Sequence, residues 1–427
     1  MSTDGESHLE LANSRQWSLK RVLTAGVIGN VLEWYDFAIY GFFAPVLAEL
    51  FFPAGDKMVS LLAAFGAFAV GFLMRPVGAV LFGHIGDRYG RARALLISVA
   101  MMAVPTVSMG LLPTYTSIGI TASFLIVLLR MLQGMAVGGE FTSSIVFLAE
   151  HSPPERRGFF CSWAMFAATT GTMLGAAVGA AMSNILTPEQ LSSWGWRAGF
   201  ISGIVVAVVG IIIRRNLIDT PAEVPDVSPV RVAFKHHGRE ILRVFGLNIA
   251  PAATYYTLFV YAATWVAETT PVTRASALDI TTVSILTFLV VAPVAAWLSD
   301  RFGRRLMLII GMSGCLIMAY PLTSLMHQGG TVSVVTGQMI FAGLLAIYMA
   351  SIPAAMCEMF PHHVRVSSVS IGYGLAYALL GGTAPAVAVW LIGSSGNDLA
   401  FAFYLMGLTS VSLLVALTVN EKHGEPL

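Results

Sequence analysis

The sequence predicts an all-α membrane protein in which twelve transmembrane helices form two six-helix bundles that repeat one another. Three observations lead there. Of 427 residues, 56% are hydrophobic and only 11% are charged, about half the charge that a soluble domain carries. Apolar runs of about 20 residues, enough helix to cross about 30 Å of hydrocarbon, follow one another along the whole chain. A decapeptide then occurs twice, as Gly-His-Ile-Gly-Asp-Arg-Tyr-Gly-Arg-Ala from Gly83 to Ala92 and as Ala-Trp-Leu-Ser-Asp-Arg-Phe-Gly-Arg-Arg from Ala296 to Arg305. The two copies sit at matching places in the two halves.

Residues 1–21 are polar, and the apolar run after them is too long for the core of a cleaved signal peptide, so this tail reads as retained and cytoplasmic. The runs fall at about 22–50, 58–82, 94–112, 118–149, 158–186 and 198–213, forming a first bundle over 22–213. The second set, at about 241–267, 280–298, 306–325, 332–359, 366–392 and 399–419, forms a bundle over 241–419. Between them, residues 214–240 carry Pro221, Pro225 and Pro229 and read as a solvated cytoplasmic linker; residues 420–427 are a second cytoplasmic tail. Basic residues fix the orientation. Every loop on one side carries them, among them Arg88, Arg91, Arg156, Arg157, Arg214, Arg215, Arg301, Arg304 and Arg305, whereas the other side keeps Lys57, Arg197 and Arg274.

Composition also excludes functions. A net charge of +1 leaves no electrostatic footprint for nucleic acid. Cys161, Cys315 and Cys357 lie in or beside apolar runs without disulfide or metal-ligand spacing, which reads as small buried side chains. No nucleophile, metal cluster or phosphate loop stands out, so neither an enzyme nor a cofactor is expected.

Function is sought in charge inside the membrane, where an ionised group costs at least about 2.5 kcal/mol by insertion scales. The first half holds Glu33 and Asp36 on its first helix, Arg75 on the second, and Arg130 and Glu140 on the fourth; the second half has none at that depth. Glu33 and Asp36 are three apart and share a helix face. By helical rise Arg130 lies about 18 Å from the outer end of its helix and Asp36 about 21 Å from the inner end of its own, so the two can pair. Arg75 sits nearer the inner side, where its guanidinium can snorkel to the interface. Every histidine falls in a tail, a loop or at a helix end, which leaves carboxylates as the proton carriers.

The second half offers aromatic hydroxyls instead: Tyr256 and Tyr261 on the seventh helix, five apart and loosely on one face, and Tyr373 and Tyr377 on the eleventh, four apart and on one face. Such groups grip a small polar substrate when they face a cavity and anchor helices when they face the interface. Gly171, Gly175 and Gly179 repeat every four residues on the fifth helix and let a neighbour approach closely.

The decapeptides suggest a latch. Asp87 and Asp300 stand at inner turns where a carboxylate can face the N-terminal end of a helix from the opposite half. Arg88, Arg91, Arg301 and Arg304 can then reach Glu150 and Glu358, which end the fourth and tenth helices and are each followed seven residues later by an arginine, Arg157 and Arg365.

With these residues in view, the chain resembles the major facilitator superfamily, whose signature loop the decapeptides match, and within it the metabolite/proton symporter family, which carries citrate, α-ketoglutarate, shikimate, proline and betaine. The supporting motifs are Asn30-x-x-Glu33-Trp34-Tyr35-Asp36-Phe37, Gly71-Phe72-Leu73-Met74-Arg75-Pro76, Arg130-Met131-Leu132-Gln133-Gly134, Gly138-Gly139-Glu140, Trp194-Gly195-Trp196-Arg197 and Glu358-Met359-Phe360-Pro361 with Arg365. The resemblance implies the major facilitator fold, a central cavity, alternating access and proton-coupled uptake across a bacterial inner membrane. The fifth helix departs from the family where Ser162-Trp163 is followed by Ala164, and it lacks the Gly-Pro ending of antiporters, which favours symport. The short charged stretch after Val419 argues against an osmosensing coiled coil.

The expectation is therefore a proton-coupled importer of a small organic acid, whose partners are that small-molecule substrate, protons and the lipid bilayer. Arg130 and Arg75 would draw the carboxylate, Asp36, Glu33 and Glu140 would carry the proton, and Tyr35, Tyr256, Tyr261, Tyr373 and Tyr377 would shape the pocket. The alternatives are import of a zwitterion such as proline or betaine, and a membrane receptor that moves nothing.

Overall fold

The computed structural model describes residues 30, 31, 33–89, 91–137, 140–214 and 229–427. The N-terminal tail and most of the linker lie outside them, as do the side chains of Asp87, Arg88, Arg91 and Glu140.

Helical runs fill the predicted spans. We number them α1 (33–51), α2 (Lys57–Phe82), α3 (Arg91–Leu111), α4 (Ile120–His151), α5 (Arg157–Ile185), α6 (196–214), α7 (229–269), α8 (Arg274–Phe302), α9 (Arg304–His327), α10 (Thr331–Glu358), α11 (His362–Ser395) and α12 (Ala400–Ala416). Among the described residues seven of these runs are long and apolar enough to cross a membrane by length and composition alone. The others are shorter, kinked or carry charge. Local chemistry sets the ends: Asp56 accepts from the Met58 N–H to start α2, and Thr273 accepts from the Ser276 N–H to start α8. Between α8 and α9 the chain turns on Gly303, whose φ of 101° suits a residue without a Cβ.

The bundles meet along α1–α7, α2–α11 and α5–α8. A Cβ on Gly41 of α1 would fall 2.3 Å from Val260 of α7, and one on Gly382 of α11 would fall 2.5 Å from Phe72 of α2. Within the first bundle the glycines of α5 face α1, where a Cβ on Gly171 would sit 2.2 Å from the Val31 carbonyl oxygen. The closest helix crossing joins α2 to α4: a Cβ on Gly134 would lie 1.8 Å from the Gly71 carbonyl oxygen, and one on Gly78 at 1.8 Å from that of Met135.

Because that contact is backbone, no rotamer change relieves it. Gly134→Ala should destabilise the protein by about 1–3 kcal/mol, the usual cost of overpacking, and lower its melting temperature in detergent. Gly66→Ala, with nothing within 4 Å of the new carbon, should leave melting unchanged or raise it. Equal melting of the two variants would show that the α2–α4 crossing is not close-packed.

Candidate functional site at the interface of the bundles

A proline shapes the centre. Pro76 has no N–H to offer, so the hydrogen-bond ladder of α2 breaks at Met74, and Arg75 starts the next segment. The Arg75 side chain stays inside the molecule, 8% exposed, with its guanidinium 3.9 Å from the ring centre of Phe72, 4.8 Å from Phe37 and 5.6 Å from Trp34. It does not snorkel. From the other half, Tyr256 stacks parallel to Trp34 at 6.2 Å and meets Phe72 edge-on at 4.9 Å. Tyr377 approaches Tyr256 at 6.3 Å and stacks on Tyr373 at 4.1 Å. Rings thus meet across the central space in this conformation. Buried among them, Trp34 Nε1 and Arg75 Nε have no hydrogen-bond partner, while the Tyr256 hydroxyl lies beside Arg75 and the Tyr373 hydroxyl beside that of Tyr377.

Wide π turns distort both helices that carry these tyrosines, Thr257–Tyr261 in α7 and Tyr377–Gly381 in α11. Tyr261, at the end of the first of these turns, packs against Phe65 at 5.7 Å and Phe401 at 6.0 Å. Tyr255, unmarked as a site residue from sequence, reaches across the halves and donates to Thr172 at 2.9 Å.

Behind the rings lies a polar layer inside the first bundle. Arg130, fully buried, spreads over Phe37 at 4.6 Å and Tyr40 at 4.3 Å, and its Nη1 donates to Gln133. Gln133 in turn donates to Thr106 at 2.8 Å and to the Asp36 backbone carbonyl at 3.4 Å. The Asp36 carboxylate is 2% exposed and has one oxygen, Oδ1, without a hydrogen-bond partner; a Cβ on Gly203 of α6 would come 3.0 Å from it. Among the described residues no ion pair joins Asp36 to Arg130, because Gln133, three residues along α4, takes the guanidinium instead. Tyr35 points the opposite way from Trp34 and bonds Ser202 of α6 at 2.6 Å. Glu33 is also buried.

The end bearing the decapeptides, the one that the basic loops of the sequence assign to the inner side, is closed by charge. Asp300 accepts from the N–H groups of Gly158 and Phe159, both at 2.8 Å, and so caps α5 of the other half. Gly158 permits this approach, since a Cβ there would be 2.9 Å from Asp300 Oδ1. Glu358 Oε1 accepts from Arg157 at 3.0 Å and Arg304 at 3.1 Å, and Glu150 accepts from Arg365 at 2.5 Å. The glutamate of each half thus holds the arginine that follows the glutamate of the other. Beyond α12, Glu421 accepts from the N–H groups of Arg304 and Arg305 at 3.0 and 2.9 Å. Burial alone would raise its pKa, but these donors outweigh burial and hold it below the usual carboxylate value. A small cleft opens on this face, lined by Glu240, Arg243, Arg304, Glu358, Asn420 and Lys422. At the outer end, Lys57 pairs with Glu268 at 2.6 Å and Arg274 donates to the Phe42 carbonyl at 2.9 Å, again between halves.

Comparison with known proteins agrees with this architecture. The family model described as sugar (and other) transporter matches residues 22–222 and 229–427, which is nearly the whole chain. The chain belongs to that transporter family. Within it, a proline/betaine transporter of Salmonella typhimurium is 34% identical over 96% of this chain and 85% of its own length, and one of Escherichia coli K12 is equally similar. A glycine betaine/proline/ectoine/pipecolic acid transporter of Dickeya dadantii is also 34% identical over 96% and 85%. Among solved structures, a D-xylose–proton symporter superposes with a TM-score of 0.77 at 20% identity over 96% of this chain and 100% of its own. The xylose transporter XylE of E. coli, in a partially occluded inward-open form, gives 0.75 at 18% over 95% and 99%. The fold is that of the major facilitator superfamily, and the protein is a multi-pass membrane transporter.

The transporter's centre gathers only part of the expected set. Arg75, Tyr256, Tyr373 and Tyr377 converge there, whereas Arg130 and Tyr35 lie in the first bundle and Tyr261 lies toward the outer end. Arg301 is exposed over Phe302 and joins none of the ion pairs formed among the described residues. Trp34, Phe37 and Phe72 also line this centre, and the sequence reading does not single them out as site residues. Their signal was present in the Pro76 break and in the spacing of Trp34 and Phe37, three apart on α1. Among the described residues no group of His, Cys, Asp or Glu is arranged to hold a metal ion.

Proposed function

We propose that this transporter imports a small zwitterion, a carboxylate joined to an alkylated ammonium as in proline or glycine betaine, together with a proton. The observation that carries the reading is the central site, where ring faces suited to an alkylated cation adjoin the unpartnered Trp34 Nε1 and an arginine suited to a carboxylate. The named substrates of the curated relatives belong to that chemical class. An organic acid, the first expectation from sequence, would use the donors but leave the ring faces idle. Asp36, with Glu33 beside it on α1, is the group proposed to hold the coupled proton, and the closed inner network the element that releases the site to the cytoplasm. This reading puts both termini on the cytoplasmic side, on the strength of the basic loops.

Uptake into proteoliposomes from labelled glycine betaine, proline, succinate and α-ketoglutarate tests this. Betaine or proline should accumulate only with the outside acidic, by about tenfold per pH unit if one proton accompanies each substrate. Accumulation of the diacids alone would overturn the zwitterion reading, and accumulation without a pH gradient would overturn proton coupling. A cysteine at Gly238 that reacts from outside intact cells would overturn the orientation.

A further inference from the structure

The guanidinium of Arg75 lies where a substrate cation would lie. It rests on the faces of Phe72, Phe37 and Trp34 at 3.9–5.6 Å, in the recess that Tyr256 closes from the second bundle. Its Nε is buried without a hydrogen-bond partner, its guanidinium also lies beside the Tyr256 hydroxyl, and it is absent from the ion pairs formed by the described residues. Phe37 also carries the Arg130 guanidinium at 4.6 Å, so two cations share one ring.

We propose that Arg75 is an internal occupant of the aromatic recess which a zwitterion displaces: the substrate's carboxylate draws the guanidinium off the rings, and its alkylated ammonium takes the ring faces that Arg75 leaves. This rests on the zwitterion reading above and adds how the site selects. A simple cation such as choline finds the rings filled, is repelled by Arg75 and Arg130, and has no anion with which to move Arg75 aside. A simple carboxylate can draw Arg75 away but leaves the rings facing nothing. Only a molecule with both ends makes both contacts, so the site responds to the pair of charges and not to either alone. The flexible arginine stem, set at the helix break before Pro76, gives the guanidinium freedom to swing.

The test measures binding of glycine betaine and of choline to purified protein in lipid nanodiscs. The parent should bind betaine and bind choline at least about thirtyfold more weakly. Arg75→Gln should weaken betaine by about tenfold or more and strengthen choline by about tenfold or more, a gain of binding that misfolding cannot produce. Adding Trp34→Leu should abolish that gain, and adding Trp34→Phe should keep most of it. If Arg75→Gln melts like the parent yet binds choline no better, Arg75 does not occupy the cation's place and the proposal is wrong. If the parent binds no zwitterion while Arg75→Gln gains choline, the internal cation stands and the zwitterion reading falls.

Discussion

Asp36→Asn is expected to abolish accumulation of substrate against its gradient while exchange of internal for external substrate continues. The carboxylate is 2% exposed, deep in the first bundle, and its surroundings are Thr106, the glycine of α6 at Gly203 and the backbone, with Arg130 held off by Gln133. A charge at such depth costs at least about 2.5 kcal/mol, so its proton occupancy must follow the access of water as the halves rock. Asparagine keeps the shape and cannot titrate. In a gradient of one pH unit the parent should concentrate substrate about tenfold and the variant should only equilibrate it, a loss of about 1.4 kcal/mol of drive. Uptake and counterflow in the same proteoliposomes measure both. A variant that still concentrates substrate places the coupled proton elsewhere, and Glu33→Gln is then the substitution to examine.

How far the sequence led depends on whether position along a helix or direction around it was at issue. Apolar run length is a one-dimensional property, and the helices of the structure fill the runs it predicted. The repeated decapeptide is likewise linear, and its second copy puts Asp300 at the N-terminus of α5. Depth was legible too: Asp36 and Arg130 are both buried. Azimuth was not. Rise per residue gives no rotation relative to neighbours, so the expected Asp36–Arg130 pair is replaced by Gln133, and Tyr35, one residue from Trp34, turns into α6 while Trp34 turns to the centre. Tyr261 packs against Phe65 and Phe401 and not beside Tyr256, a neighbourhood that spacing along the helix does not give. The Glu-to-Arg spacing of seven residues recurred in both halves, yet only the packing of one half on the other showed that the partners are exchanged between them.

That exchange makes Glu358 the residue whose loss should matter most at the inner end. One of its oxygens accepts from both Arg157 and Arg304, whose side chains are 2% and 1% exposed, and Glu358 itself is 5% exposed. Glu358→Gln keeps the volume and removes the charge, leaving Arg157 buried without its carboxylate, while Arg304 retains Asp300 at 2.6 Å. Breaking a buried pair on one side costs about 3–5 kcal/mol, because the remaining charge stays out of water. Parting the two halves hydrates Arg157, so the cost falls on the closed state, and the balance should move toward inward-open forms by at least about a hundredfold. Net transport should fall steeply while substrate binding from the inner side persists. The native cysteines report the movement: Cys161 and Cys357 are buried at this interface beside Arg157 and Glu358. In a Cys315→Ser background, an impermeant maleimide applied to inside-out vesicles should label Glu358→Gln much faster than the parent. Equal labelling with equal transport would mean that the exchanged ion pairs are incidental to closure, and that the Asp300 cap on α5 is enough to hold the inner side shut.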